Sequence, residues 1–297
     1  MRVLLASLAC VAAFHASVPA VTETEAVTLT VMTGARSLPP GGVVLVTMRA
    51  SRPLTELEGR AFGRPVWFWS DADRTKWHGL IAAGLDAKPG PYTATATGSG
   101  PSGMATATLS LHVEPKQFQT RRLTVDPQFV NPPDAEAERI GREVKQMAEV
   151  FGHITPERLW RGAFELPVPG EATSSFGRLS VLNGESRGRH QGADFRAVTG
   201  TPVHAPNGGR VALASDLYFS GNTVIIDHGL GMFSLLAHFS KLSVETGATV
   251  SRGQVIGESG ATGRVTGPHL HWALRLGEAS VDPLALVRTV SRLSDEH

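Results

Sequence analysis

From Val27 to Val113 the chain alternates apolar and polar positions in short runs. Val27-Thr28-Leu29-Thr30-Val31, Gly42-Val43-Val44-Leu45-Val46 and Thr106-Ala107-Thr108-Leu109-Ser110-Leu111-His112-Val113 carry the pattern. Turn clusters such as Leu38-Pro39-Pro40-Gly41 and Pro89-Gly90-Pro91 separate the runs. A period of two places one face of each run in a core and the other in water, so these are strands. Their number and spacing predict an immunoglobulin-like β-sandwich over residues 26–115. It holds no cluster of chemistry-bearing side chains, and a spacer or binding module is its expected role.

The period changes after Pro132-Pro133. Asp134 is a fitting N-cap, and Ala, Glu, Arg, Val and Met recur at helical intervals, predicting a helix over about 134–151. Pro156, Pro167 and Pro169 then read as extended chain, so residues 116–171 are expected to link two domains. Strand patterns return in residues 172–290, at Val211-Ala212-Leu213-Ala214, Thr223 to Asp227, Met232 to His238 and His269 to Leu274. The expected fold is mostly β: a sandwich, one connecting helix and a second β-rich domain.

Composition supports this. A chain of 297 residues has room for two cores. With 41% hydrophobic and 19% charged residues it is ordinary globular material, and 32 Gly with 19 Pro suit many strands joined by turns. Lys plus Arg (28) balance Asp plus Glu (27), so no global field attracts nucleic acid, which is excluded as a partner. Arg2, the apolar run Val3 to Phe14 and small residues up to Ala20 resemble a secretory signal peptide cleaved near Ala20. That run is too short to span a bilayer, so the expectation is an exported protein of the periplasm or cell envelope, not an integral membrane protein. The only cysteine, Cys10, lies within the run, which leaves the mature chain without thiol chemistry; a lipid anchor on Cys10 is the alternative to cleavage.

Six of the eleven histidines fall between His190 and His271. In His190-Gln191-Gly192-Ala193-Asp194 an imidazole and a carboxylate stand four residues apart around a glycine that disfavours a helix. In His269-Leu270-His271 two imidazoles at i and i+2 share one face of a strand, about 7 Å apart. One imidazole from that pair, with His190 and Asp194, gives a zinc ion three protein ligands and a fourth position for water. The same chemistry requires proton handling, for which His238 and His269 are the candidates. His204 and His228 read as strand-end histidines, His228 with a possible role behind the metal, and His78, His112 and His153 as surface or packing residues. Gly257 to Gly263 lacks the lysine of a phosphate loop and reads as a turn-rich groove wall. Arg178, Asn183 and Arg264 are candidate substrate contacts along that groove.

The order His190-x-x-x-Asp194, Leu236-Ala237-His238-Phe239-Ser240 and Gly267-Pro268-His269-Leu270-His271-Trp272 resembles the lysostaphin-type, or LytM-type, zinc metallopeptidases that cut peptidoglycan cross-bridges. The resemblance runs from Ser174 to Leu286 and includes Ser175-Phe176-Gly177-Arg178, Gly200-Thr201-Pro202-Val203, Ile226-Asp227-His228-Gly229 and Arg252 to Gly257. It implies a duplicated-hybrid-motif-like core, one Zn2+ per chain on His190, Asp194 and His271, and catalytic roles for His238 and His269. Peptidoglycan peptide stems would be the substrate, and the N-terminal domain could engage another envelope protein or cover the groove. Leu236 and Phe239 depart from the Tyr and Leu usual in the family, which would change groove polarity. A non-catalytic relative that binds peptidoglycan or activates another hydrolase is the competing expectation.

Overall fold

The computed structural model describes residues 26–174, 176–291 and 293. The expected signal peptide, its cleavage point at Ala20 and Cys10 lie outside these residues. The alternating N-terminal segment forms two sheets. Leu29–Thr33, Val43–Ala50, Lys76–Ala82 and Phe68–Ser70 make one. Ser37–Leu38, Gly103–Val113, Gly90–Gly100, Glu56–Ala61 and Arg64–Val66 make the other. Val46, Met48, Ile81, Leu109, Leu111 and Val113 fill the space between them, as the period of two requires.

The chain then adds a strand β1 (Thr120–Leu123) and the helix α1 (Ala137–Gly152). Helix α1 lays Met147, Val150 and Phe151 over Leu213, Leu217, Ile225 and Phe233. Its amphipathic face thus covers the outer side of the second domain's sheet.

That domain begins with β2 (Leu179–Leu182), β3 (Glu185–Arg189) and β4 (Gly192–Phe195). The long strands β5 (Gly209–Leu217), β6 (Gly221–Gly229) and β7 (Met232–Leu242) follow. It ends with β8 (Val255–Ser259), β9 (Leu270–Leu276) and a short helix α2 (Pro283–Val290). Strands β4, β9, β7, β6 and β5 lie side by side in that order, all antiparallel, while β8 pairs with the far end of β7. Strand β1 joins the domain as a parallel neighbour of β2, which in turn pairs with β3.

Two regions differ from the linker expected over 116–171. Strand β1 is part of a sheet of the second domain. The proline-rich passage carries Trp160, Phe164 and Val168 into that domain's main core, where Trp160 is fully enclosed. Asn207 fastens the passage: its amide nitrogen donates to the carbonyls of Arg161 and Ala163, and its oxygen accepts the Arg161 N–H. The passage holds neither helix nor strand, and apolar side chains at long separation decide that it is packed.

The two domains share this core. Val43, Leu80 and Ala82 from the sandwich meet Ala279, Val281, Leu286 and Val290. The Asp282 N–H donates to Gly41 O and the Thr289 hydroxyl to Val43 O. The sandwich is therefore docked through the α2 side of the second domain. Among the described residues no helix is long and apolar enough to cross a membrane.

Candidate active site

Strand pairing assembles the centre. Asp194 on β4 is the register partner of His271 on β9, and His271 is also the partner of Ala237 on β7, so three strands converge here. Side chains directly opposite in an antiparallel pair share a face. His190 lies in the turn before β4, pinned by its N–H on Arg178 O and by its carbonyl on the Gly177 N–H. Gly192 between them is sterically required: a Cβ there would lie 2.4 Å from Trp272 O and 2.8 Å from Cε1 of His271.

The result is a triangle of donor atoms. His190 Nε2 is 2.9 Å from Asp194 Oδ1, His271 Nδ1 is 2.8 Å from the same oxygen, and the two nitrogens are 3.1 Å apart. A tetrahedral ion with bonds of about 2.0–2.1 Å holds its ligand atoms about 3.3 Å apart, so side-chain shifts of a few tenths of an ångström admit it. Two imidazoles and one carboxylate suit such an ion, and these three residues form a metal-binding His/Asp/His site. Burial by itself would raise the Asp194 carboxyl, but hydrogen bonds from His190 and His271, with their charge, outweigh it and hold the group well below the usual carboxylate range. Burial pushes His271 down, against the pull of Asp194. Asp194 and His271 are thereby kept in their metal-binding protonation states.

Two more imidazoles stand beside the triangle. The His238 ring centre is 4.8 Å from that of His269 and 6.1 Å from that of His271. His238 sits where β7 leaves β9 to pair with β8, and Ala237 and His238 together face the single residue Thr223 on β6. This bulge gives His238 a φ of 69° and turns its ring into the groove. Nδ1–H of His238 donates to Thr262 O at 2.8 Å, and Nδ1–H of His269 to Gly267 O at 2.8 Å. Both rings therefore leave Nε2 as the free nitrogen. Burial, then the neighbouring His271 and His269, lower His238 to about 3, so it is neutral at physiological pH. His269 itself precedes β9 and is held by a bridge to Gly260.

These residues line a groove of about 690 Å³. Of the three candidate substrate contacts, only Arg264 lines it. The Asn183 amide is spent elsewhere, donating to Val125 O and accepting the Val125 N–H, each at 3.0 Å; its φ of 50° marks it as the turn between β2 and β3. Arg178 serves the site through its backbone carbonyl. Leu236 is enclosed in the core and does not line the groove. The sandwich contributes nothing to the lining; the cover comes instead from Arg121, Leu123 and Val125 on and after β1. Arg121 reaches within 3.8 Å of Asp194 Oδ2, a contact between residues so distant in sequence that no local pattern signals it. His228 lies in the core, between Gly208 O and the Ser234 hydroxyl, which also accepts the Trp272 indole N–H. It braces β9 from behind through Trp272, the neighbour of His271.

An open groove, a three-ligand metal site and two unligated imidazoles define a metallopeptidase-type centre. Residues 188–283 match the family model described as Peptidase family M23. A crystal structure from Pseudomonas aeruginosa, described as a candidate M23 peptidase, is 30% identical, covers 84% of this chain and 95% of its own, and superposes with a TM-score of 0.63. The chain belongs to peptidase family M23. Among curated relatives, the peptidoglycan DD-endopeptidase ShyA of Vibrio cholerae is 48% identical over 85 residues, 29% of this chain and 20% of that protein. The DD-carboxypeptidase/endopeptidase Mpg of Neisseria meningitidis is 39% identical over 105 residues, 35% of this chain and 24% of that protein. The chain thus spans less than a quarter of the length of these curated relatives.

Proposed function

We propose that the protein is a zinc-dependent endopeptidase, with one Zn2+ per chain, that hydrolyses peptide cross-links of bacterial cell-wall peptidoglycan in the periplasm or cell envelope. The observation that carries this reading is the triangle of His190, Asp194 and His271 with His238 and His269 beside it in one groove. When bound, zinc supplies Lewis acidity toward the carbonyl to be cut and acidifies water to a pKa of about 7. The protein's own groups move the proton. His238 and His269, each with Nδ1–H tied to a carbonyl, present Nε2 as acceptor; an imidazole that has taken the proton then donates N–H to the developing oxyanion or the departing amine. No cysteine or serine nucleophile is needed, and no covalent intermediate forms.

The activities named for ShyA and Mpg support the choice of substrate. Within this reading the N-terminal pair of sheets is an immunoglobulin-like module, available to another envelope protein, and the second domain has a duplicated-hybrid-motif-like core. The test is a mass-spectrometric digest of sacculi and defined muropeptides by zinc-loaded full-length protein. New peptide termini are expected from wild type, none from His190→Ala, which also loses zinc, and none from His238→Ala, which retains it. Absence of new termini with the wild-type, zinc-loaded protein overturns the proposal in favour of a binding or activating relative.

A further inference from the structure

The groove is cationic out of proportion to a chain whose charges balance. Arg121, Arg187, Arg189, Arg196 and Arg264 line it, against a single lining carboxylate among the described residues, Asp194, which belongs to the metal site. Most of these guanidiniums are engaged. Arg121 faces Asp194, Arg187 pairs with Glu185 at 2.6 Å, and Arg189 donates to Gly177 O while lying over the Phe118 ring.

Arg264 is different. It is half-buried, stacked 5.0 Å over Phe219, and pairs with no carboxylate among the described residues. Burial and then the facing charge of Arg187 lower its pKa, which means the fold holds a guanidinium where its charge is disfavoured. A partly desolvated cation lacking its counter-charge costs stability unless something outside the chain supplies the anion. Its position is also fixed relative to the chemistry. The Arg264 N–H donates to Phe219 O, and two residues earlier Thr262 O receives Nδ1–H of His238, so one turn aims both side chains into the groove.

Resting on the peptidase reading above, we propose that the groove takes a peptide bearing a free carboxylate next to the bond it cuts, and that Arg264 receives that carboxylate as a specificity-determining residue. The planar guanidinium fork matches a carboxylate with two parallel N–H···O bonds, which an amide in the same place cannot reproduce. Arg187 raises the local positive potential without being free to bind in the same way. Arg264 lies within the family-matched region, whereas Arg121 adds its charge from outside it.

Two synthetic cross-linked peptides, identical except that the carboxylate flanking the scissile bond is free in one and amidated in the other, test this with the full-length protein. A charge-assisted pair lost on amidation predicts that wild type prefers the free acid by about tenfold to a hundredfold in kcat/KM. In Arg264→Gln the ratio falls to about one, and Arg264→Lys restores part of it. Equal rates on the two peptides by wild type overturn the inference and leave the peptidase reading intact. Cleavage of neither peptide counts against the peptidase reading, and calorimetric binding to the metal-free full chain then decides the inference alone: tighter binding of the acid upholds it, equal binding sinks it.

Discussion

Asp194 stands directly across a strand pair from His271, with its Oδ1 2.8 Å from the imidazole Nδ1. Backbone register therefore brings two of the three metal ligands together, and only His190 depends on a turn. Asp194 is also the one anionic ligand, so Asp194→Asn keeps the shape and removes the charge. Zinc affinity is expected to fall by more than about a hundredfold, beyond the range typical of groups that merely support a ligand. Competition against a chelator of known affinity measures it, and unchanged affinity would mean that Asp194 is no ligand.

Gly192 lets the His190 turn approach β9. In Gly192→Ala the new methyl group meets the Trp272 carbonyl and the His271 ring, neither of which can move without disturbing the sheet or the metal site. The expected cost is about 1–3 kcal/mol of stability, together with weaker zinc binding. Gly141, inside α1 with open space around its Cα, is the control: Gly141→Ala should stabilise by about 0.5–1 kcal/mol and leave zinc binding unchanged. Denaturant titrations of both variants check the pair, and equal effects of the two would refute the steric account.

The contrast between Gly192 and Arg121 shows which parts of the site the sequence made legible. A ligand pair four residues apart around a glycine, and two histidines two apart entering a strand, are local patterns, and local geometry fixes what they can do. The alternating runs likewise announce their strands, because burial on one face imposes the period. Register between distant strands leaves no such trace. The parallel pairing of β1 with β2 carries Arg121 to Asp194, and the bulge at Ala237-His238 turns His238 into the groove; both follow from how whole strands dock. Asn183 is the reverse case. A polar residue near a groove looks like a substrate contact until the fold assigns its amide to the backbone of Val125.

His238 is held at a positive φ that side chains with a Cβ occupy at a cost of about 1 kcal/mol. Its replacement by glycine or alanine removes the same imidazole and the same bond to Thr262 O, so the two variants differ in the strain of a Cβ at positive φ, which outweighs glycine's greater freedom in the unfolded chain. His238→Gly is expected to be about 1 kcal/mol more stable than His238→Ala, with both retaining zinc and neither hydrolysing peptide. Thermal unfolding of the two, side by side, reads the difference; an alanine variant equal or superior in stability would show that the bulge relaxes when the imidazole is gone.

His228 gives the fold a defined response to acid. Burial lowers it to about 4, against a partial offset from its bond to Gly208 O, while the unfolded imidazole titrates near 6.5. As pH falls below about 6.5 the unfolded chain takes up a proton that the folded chain refuses until about 4. Stability is therefore fully present above that window and lost progressively within it, by roughly 3 kcal/mol at about 1.4 kcal/mol per pH unit. His238, lowered to about 3, adds a loss of the same sign in the metal-free protein. Asp194 contributes only lower down, because its depressed carboxyl costs stability as pH falls below the ordinary carboxylate range. His228→Gln removes the titrating group, so it should be less stable than wild type at pH 7.5 but lose clearly less between pH 7 and 4.5. Guanidinium unfolding at several pH values gives the double difference, from which the carboxylates common to both proteins cancel. Parallel losses in the two proteins would show that His228 is not the group that refuses the proton.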